Sequence, residues 1–360
     1  MRLSRISFED MPNENSLFQS GFWAAFRNEG GTECFSFLVE DVPNRLPFGL
    51  VVLVRTGTSG DRYAYVPRGI NLNLKACEEG LFLEDLSEKL AELLPKNIVC
   101  IRYDSAFYSP FTDSEYWSSS GQWKGAPRVE IRELRMNYGT RFRKLRKSPL
   151  DHLSPDTVII NLEESEEAIL SLMRQTTRNS VRRAYRSGLE YRIEGVEGLT
   201  SWFPLYEETA KRKNFFYEEL SYFENLFETA THFSSTNGET PKFFVLNALK
   251  DGEVLAGLIL AAAGKRGYYL YAGSSTKHRN CMPNYGLQWE AIRLLRSHGC
   301  TEYDLMGVPP NGDPNHSMYG LYTFKTGLGG KVVHYSGCWD YPLDPDRYVY
   351  LANAENFGGI

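Results

Sequence analysis

The chain states one arrangement of elements twice, and a duplication of this kind limits its fold more than any single motif does. In the first part "FGLVVLVR" leads to "RYAYVPRG", a helix-like "LEDLSEKLAELL" and "NIVCIRYDS"; in the second, "AGLILAAAGKRGYYLYAGS" leads to "YGLQWEAIRLLRSHG" and "CTEYDLMGV". Each run reads strand, strand, helix, strand. Gly49-Leu50 answers Gly257-Leu258, Tyr63-x-Tyr65 answers Tyr269-x-Tyr271, and Tyr103-Asp104 answers Tyr303-Asp304, every pair roughly 200 residues apart. Three matches in order imply a duplicated α/β domain. The 360 residues also exceed the ~250–300 at which one hydrophobic core stops growing.

The rest of the chain fits this plan. "SLFQSGFWAAFRNEG", "LTSWFPLYEETAKRK" and "LSYFENLFETATHF" read as helices, "CFSFLVEDV" as a strand, and "KFFVLNALKDGEVLAGLIL" as a hairpin turning at Asp251-Gly252. Pro149 and Pro155 bracket a boundary in "SPLDHLSPD". The aromatic tail "GCWDYPLDPDRYVYLANAENF" needs covering and is expected to return to the first half. The expected division is residues 1–152 with 339–360, and residues 153–338.

Six cysteines stand far apart, with no CxxC pair and no Cys/His cluster of metal-ligand spacing. The N-terminal stretch has no signal-peptide core, and no run of ~18 apolar residues occurs. A reduced, cytoplasmic protein is expected.

The net charge of −5 gives no general affinity for polyanions, but its distribution is uneven. Arg132, Arg135, Arg141, Arg143, Lys144, Arg146 and Lys147 face the single acid Glu133, either as a solvated basic face or as a polyanion site. The following "ESEEAILSLMRQTTRNSVRRAYRSGLEYRI" reads as one helix that begins with acids and ends at Gly188. Along it Arg174, Arg178, Arg182 and Arg186 recur every four residues, with Arg183 beside them. Like charges at that spacing repel unless something neutralises them. A bound phosphate backbone is the economical partner.

Near the end, "YTFKTGLGG" sets Lys325 between aromatic residues and Gly327, Gly329 and Gly330, either as a phosphate or oxyanion donor amid flexible backbone or as a plain turn lysine. "YAGS" reads as a strand end whose small side chains leave room for substrate. "GSS" at Gly273–Ser275 lacks the nucleophile-elbow pattern, and the six histidines show no readable triad.

The ordered set "FQSGFWAAFR", "RNSVRRAYRSGLEYRI", "LYEETAKRKNFFYEELSYFENL", "YYLYAGS", "MPNYGLQWEAI", "YDLMGV" and "LYTFKTGLGG" resembles the FemABX peptidyltransferases over nearly the whole chain. The resemblance implies two tandem GNAT-like α/β domains, in the compact form without a coiled-coil arm. It implies an aminoacyltransferase that moves an amino acid from aminoacyl-tRNA to a stem-peptide amine of a peptidoglycan precursor, nucleotide-linked or lipid-linked, with no cofactor or metal. The expected protein is a monomer that touches the inner membrane surface only transiently.

The resemblance also distributes roles. Phe324 and Lys325 match the family's substrate-contacting "FK", and Arg27, four residues after Trp23, falls where compact members place a basic residue for the precursor's diphosphate. Asp104 matches a family aspartate, there to hold the amine, to accept its proton, or only to cap a helix. Tyr222 and Tyr271 match aromatic positions near the precursor, or are core. The counterpart Asp304 reads as structural. Arg174, Arg178, Arg182, Arg183 and Arg186 become the tRNA ridge. One departure stands out: past "AKRK" the compact relatives carry an arginine near the phosphates, where this chain reads Tyr217, Glu218 and Glu219, so Arg212 or Lys213 is expected to substitute. Two other readings compete. A coenzyme A-dependent N-acetyltransferase needs a glycine-rich loop before a helix, and "RNEGGT" follows one instead. A non-catalytic RNA- or precursor-binding protein keeps the ridge but gives Lys325 no reactive role.

Overall fold

The computed structural model describes all of the chain except residues 13–15, 71, 110–137 and 358–360. Among the described residues, two seven-stranded sheets carry the fold. The first runs β1 (Arg2–Arg5), β2 (Cys34–Glu40), β3 (Phe48–Thr56), β4 (Arg62–Gly69), β5 (Ile98–Ser105), β14 (Cys338–Pro342), β6 (Arg146–Lys147). The second, read from the equivalent edge, runs β8 (Glu190–Glu194), β9 (Lys242–Lys250), β10 (Glu253–Ala263), β11 (Arg266–Ser274), β12 (Glu302–Gly307), β7 (Asp156–Asn161), β13 (Lys331–His334).

The two orders coincide position by position. Each sheet has a single parallel pair, β4–β5 and β11–β12, spanned by a crossover helix: α2 (Ala76–Leu93) and α7 (Pro283–Ser297). All other pairs are antiparallel. The helices α1 (Gly21–Glu29), α3 (Glu166–Leu172), α4 (Gln175–Arg186), α5 (Leu199–Lys213), α6 (Leu220–His232), α8 (Tyr319–Gly327) and α9 (Pro345–Phe357) complete the layers.

Local chemistry accounts for several of these elements. Leu50, Val51, Val52 and Leu53 are all buried, so β3 is covered on both faces and reads as a continuous apolar run. The β9–β10 hairpin turns on Asp251 and Gly252, both at positive φ (52° and 81°), as a two-residue loop of this twist demands. Ser20 caps α1 by accepting from the Trp23 N–H.

The arginine-rich segment is two helices rather than the single one expected. Met173 and Arg174 are extended (ψ 150° and 147°), because Met173 turns into the core and the Arg174 N–H leaves the helix to bond the Gly327 carbonyl at 2.9 Å. The acids Glu166 and Glu167 therefore sit on α3, on a separate helix from the ridge arginines. Gly188, at φ 68°, closes α4 as expected.

A third core, rich in aromatic residues, lies between the halves. Phe22, Trp23 and Phe26 of α1 meet Trp202, Tyr206, Phe223, Phe243 and Tyr268 of the second half. Trp202 and Phe223 are 0 % exposed, and each such ring contributes about 1.5–3 kcal/mol by burial.

Candidate active site

The parallel strands of the second sheet open a notch. β11 and β12 pair only from Arg266/Glu302 to Tyr268/Asp304 and then diverge, with Met306 at φ 58° where β12 bulges. Lys325 fills this notch from α8, a helix rather than the flexible turn its glycines suggested. It is 6 % exposed, and its Nζ donates to the Met306 and Gly307 carbonyls at 3.2 and 2.9 Å. The Tyr269 ring lies 5.4 Å from the ammonium. An ammonium has three N–H donors, so one is left for a substrate oxygen. Burial pulls Lys325 down to about 8, against the Asp304 carboxylate, which favours the charged form.

Asp304 accepts from Thr157 Oγ1 and, at 2.8 Å, from the Met306 N–H, holding the residue whose carbonyl Lys325 binds. Phe324 packs its ring edge-to-face on Tyr285, 5.1 Å between centroids, and is half-buried.

The remaining expected residues form a second group. Tyr222 and Tyr271 join through their hydroxyls at 3.2 Å, both raised by burial, and Arg27 stands close enough to Tyr222 to act on it electrostatically. Tyr269 packs with the α7 side of the sheet and Tyr271 with the aromatic seam, so the two groups occupy opposite faces and meet at Met306. Gly273 of "YAGS" leaves no room for substrate: a Cβ there would run into the backbone of Leu205 and Tyr206 on α5. Arg212 spends its guanidinium on Glu208 and on the Ser274 carbonyl, both at 2.9 Å.

Asp104 lies inside the protein. It is 0 % exposed, accepts from Tyr65 Oη at 3.0 Å and Leu153 N at 3.1 Å, and faces Arg68 Nη1 at 3.8 Å. Burial raises its pKa. Arg68, which nothing in the sequence flagged, donates to the Ser154 carbonyl at 2.7 Å, so the pair grips the segment that passes between the sheets.

Three clefts surround these groups. One of about 550 Å³ is lined by Phe26, Arg27 and Tyr222 with Glu218, Glu219, Glu224 and Glu228. A second, of about 590 Å³, lies on the other side of Arg27 and is lined by Glu33, Arg55, Arg62, Tyr63, His152 and Glu355. A third of about 500 Å³ runs along α4, where Arg178, Arg182, Arg186 and Arg293 meet Tyr185 and Trp289, with Glu166 of α3 on its wall paired to Arg293. Arg182 and Arg186 are exposed, and so are Arg183 and Arg174. Arg174 also donates to Thr326 Oγ1 at 3.0 Å, beside Lys325. The earlier basic run is mostly spent: Lys144 pairs with Glu88 and Lys147 with Asp151, while Arg132 and Arg135 lie outside the described residues. No group of His, Cys, Asp and Glu suited to a metal occurs among the described residues.

This paired-sheet architecture is that of tandem GNAT-like domains. A crystal structure of FemX superposes with a TM-score of 0.73 at 18% identity, covering 97% of this chain and 99% of that one. A tandem GNAT protein from the clavulanic acid biosynthesis pathway gives 0.50 at 11%, covering 95% and 98%. Residues 6–236 and 238–356 match the FemAB family, and the chain belongs to that family. A Lipid II:glycine glycyltransferase of Staphylococcus saprophyticus is 27% identical over 264 residues, 57% of this chain and 63% of the relative. The chain thus spans less than two thirds of the length of such relatives.

Proposed function

We propose that the protein transfers an amino acid from aminoacyl-tRNA to a stem-peptide amine of a peptidoglycan precursor. The observation that carries this reading is the tie between α4 and Lys325: Arg174 binds Gly327 O through its backbone and Thr326 through its side chain. A polyanion lying in the Arg178–Arg182–Arg186 groove would deliver its end next to the buried amine. The relatives named for glycine transfer to lipid II support an acceptor of that class.

The chemistry assigns few tasks to side chains. A neutral stem-peptide amine attacks the ester carbonyl; a C–N bond forms, the ester C–O bond breaks, and the amine's proton ends on the ribose oxygen. The ester is already activated, so orientation supplies much of the acceleration. With its value near 8, Lys325 is mostly cationic at neutral pH, and its third N–H is available to the tetrahedral oxyanion. Asp304, holding Met306, keeps that donor aimed. Asp104 takes no direct part in this scheme; it stabilises the crossing between the sheets.

The test is incubation with charged tRNA, acetyl-coenzyme A or neither, following label into a stem-peptide amine. Label from charged tRNA alone is expected. Label from acetyl-coenzyme A, or from neither donor, overturns the reading.

A further inference from the structure

Arg68 joins the two halves at one point. It stands on β4 at φ 36°, a left-handed backbone that a residue with a Cβ adopts only under constraint, where the β4–β5 register shifts between Val66 and Gly69. Its side chain is buried: Nη2 donates to the Ser154 carbonyl at 2.7 Å, the Tyr335 ring lies 4.4 Å away, and Nη1 faces Asp104 at 3.8 Å. Burial opposes its charge, and Asp104 and then Asp304, with Tyr335 and Tyr65 after them, more than restore it. One cation of the first half is thus favoured by a carboxylate from each sheet.

Ser154 passes this position on. A Cβ on Gly307 would lie 2.8 Å from Ser154 Cβ, so Gly307 is pressed directly against Ser154. Ser154 Oγ donates to the Asp156 carbonyl at 2.9 Å and reaches the Val308 carbonyl at 3.4 Å, while the Val308 N–H donates to that same Asp156 carbonyl at 3.0 Å. Gly307 is the residue whose carbonyl Lys325 Nζ binds at 2.9 Å. We infer that Arg68, on the first sheet, is a positioning residue for Lys325 of the second half: it holds Ser154 against Gly307 and so fixes the carbonyl that aims the ammonium.

Lys325 itself is the gauge of this link. Its ammonium faces Asp304 and the Met306 and Gly307 carbonyls from β12 and the Tyr269 ring from β11, while Arg174 of α4 reaches its neighbour Thr326. The sign of the effect separates two routes. If Arg68 acted only through its charge, removing it would free Asp304 and raise Lys325. If it acts through Ser154, removing it loosens the Gly307 carbonyl and lowers Lys325 further. That the link bears on transfer rests on the proposed aminoacyl transfer; the link itself does not.

The experiment reads Lys325 without substrate, by urea unfolding of the full chain across a pH series for the wild type, Arg68→Met, Arg68→Lys, Gly307→Ala and Asp104→Asn, each against the same protein carrying Lys325→Met. A lower folded value means that the unfolded chain binds more protons from a lower pH, so the rise in stability that starts at about pH 8 in the wild type begins earlier. Arg68→Met is expected to start it about one pH unit lower, the worth of one lost hydrogen bond to a charged group. Gly307→Ala, which drives a methyl into Ser154, moves it the same way. Arg68→Lys keeps a donor for the Ser154 carbonyl and moves it less than half as far. The alkaline limb of kcat/KM for transfer follows the same shift in Arg68→Met. If Arg68→Met does not fold, Gly307→Ala decides. A window that stays in place in folded Arg68→Met or in Gly307→Ala, or that moves to higher pH, overturns the assignment, and so does an equal shift in Asp104→Asn. A lowered window in a protein that transfers no label from charged tRNA leaves Arg68 coupled to Lys325 and removes the function.

Discussion

Replacing Lys325 by methionine separates its two contributions. At neutral pH the ammonium suffers a burial penalty: a shift from 10.5 to about 8 corresponds to roughly 3 kcal/mol. Its bonds to the Met306 and Gly307 carbonyls offset this by about 1.5–3 kcal/mol each. The two terms oppose, so absolute stability at pH 7 moves little. The pH dependence is the diagnostic quantity. Because the folded value lies below the unfolded one, the unfolded chain binds more protons between about pH 8 and ~10.4, and wild-type stability rises through that window. Urea unfolding at pH 7, 8.5 and 10 should show the wild type gaining up to roughly 3 kcal/mol relative to Lys325→Met. In parallel, initial rates of transfer should fall about 10²–10³-fold, mainly in kcat, the usual cost of one lost oxyanion donor. Parallel pH curves for the two proteins would show that the amine titrates normally and is not buried as described.

Charge reversal on the ridge, Arg182→Glu with Arg186→Glu, should weaken tRNA binding by at least about tenfold and flatten its salt dependence by about 0.7–0.9 per lost contact, measured by filter binding across a salt series. Arg102→Met should lower stability by about 3–5 kcal/mol in urea unfolding, since it strands Asp340 and Glu355, both buried and paired to Arg102 at 2.7 Å.

The duplication was legible because hydrophobic period and turn residues are local signals. Tyr103-Asp104 and Tyr303-Asp304 do lie on equivalent strands, β5 and β12. The tyrosine match was not a true equivalence: Tyr103 pairs across the parallel seam with Val66, Tyr303 with Gly267, so the Tyr-x-Tyr motifs stand on different rungs. Register depends on bulges, which no alternation pattern announces. The ridge arginines were visible as a helical repeat, but their break at Met173 was not, because no Gly or Pro marks it and only the distant Gly327 carbonyl draws the chain out. Arg68 left no trace in the sequence at all. It acts through partners far along the chain, which spacing does not reveal.

The two equivalent aspartates have diverged, and that divergence is testable. Asp104 holds Leu153 N and faces Arg68, which grips Ser154; it fixes the segment crossing between the sheets. Asp304 holds Met306 N and opposes the burial that pulls Lys325 down. Asp304→Asn removes the carboxylate that favours the ammonium, so Lys325 falls further below about 8 and more of it is neutral at pH 7. If the ammonium is the working form, the alkaline limb of kcat/KM moves to lower pH in Asp304→Asn. Asp104→Asn leaves that limb in place and lowers the melting temperature instead, because Arg68 loses the carboxylate it faces. An unmoved limb in Asp304→Asn would mean that Lys325 does not act as a proton-bearing donor. A limb that moves equally in both variants would mean that the two carboxylates share one field, and that their separation by role is wrong.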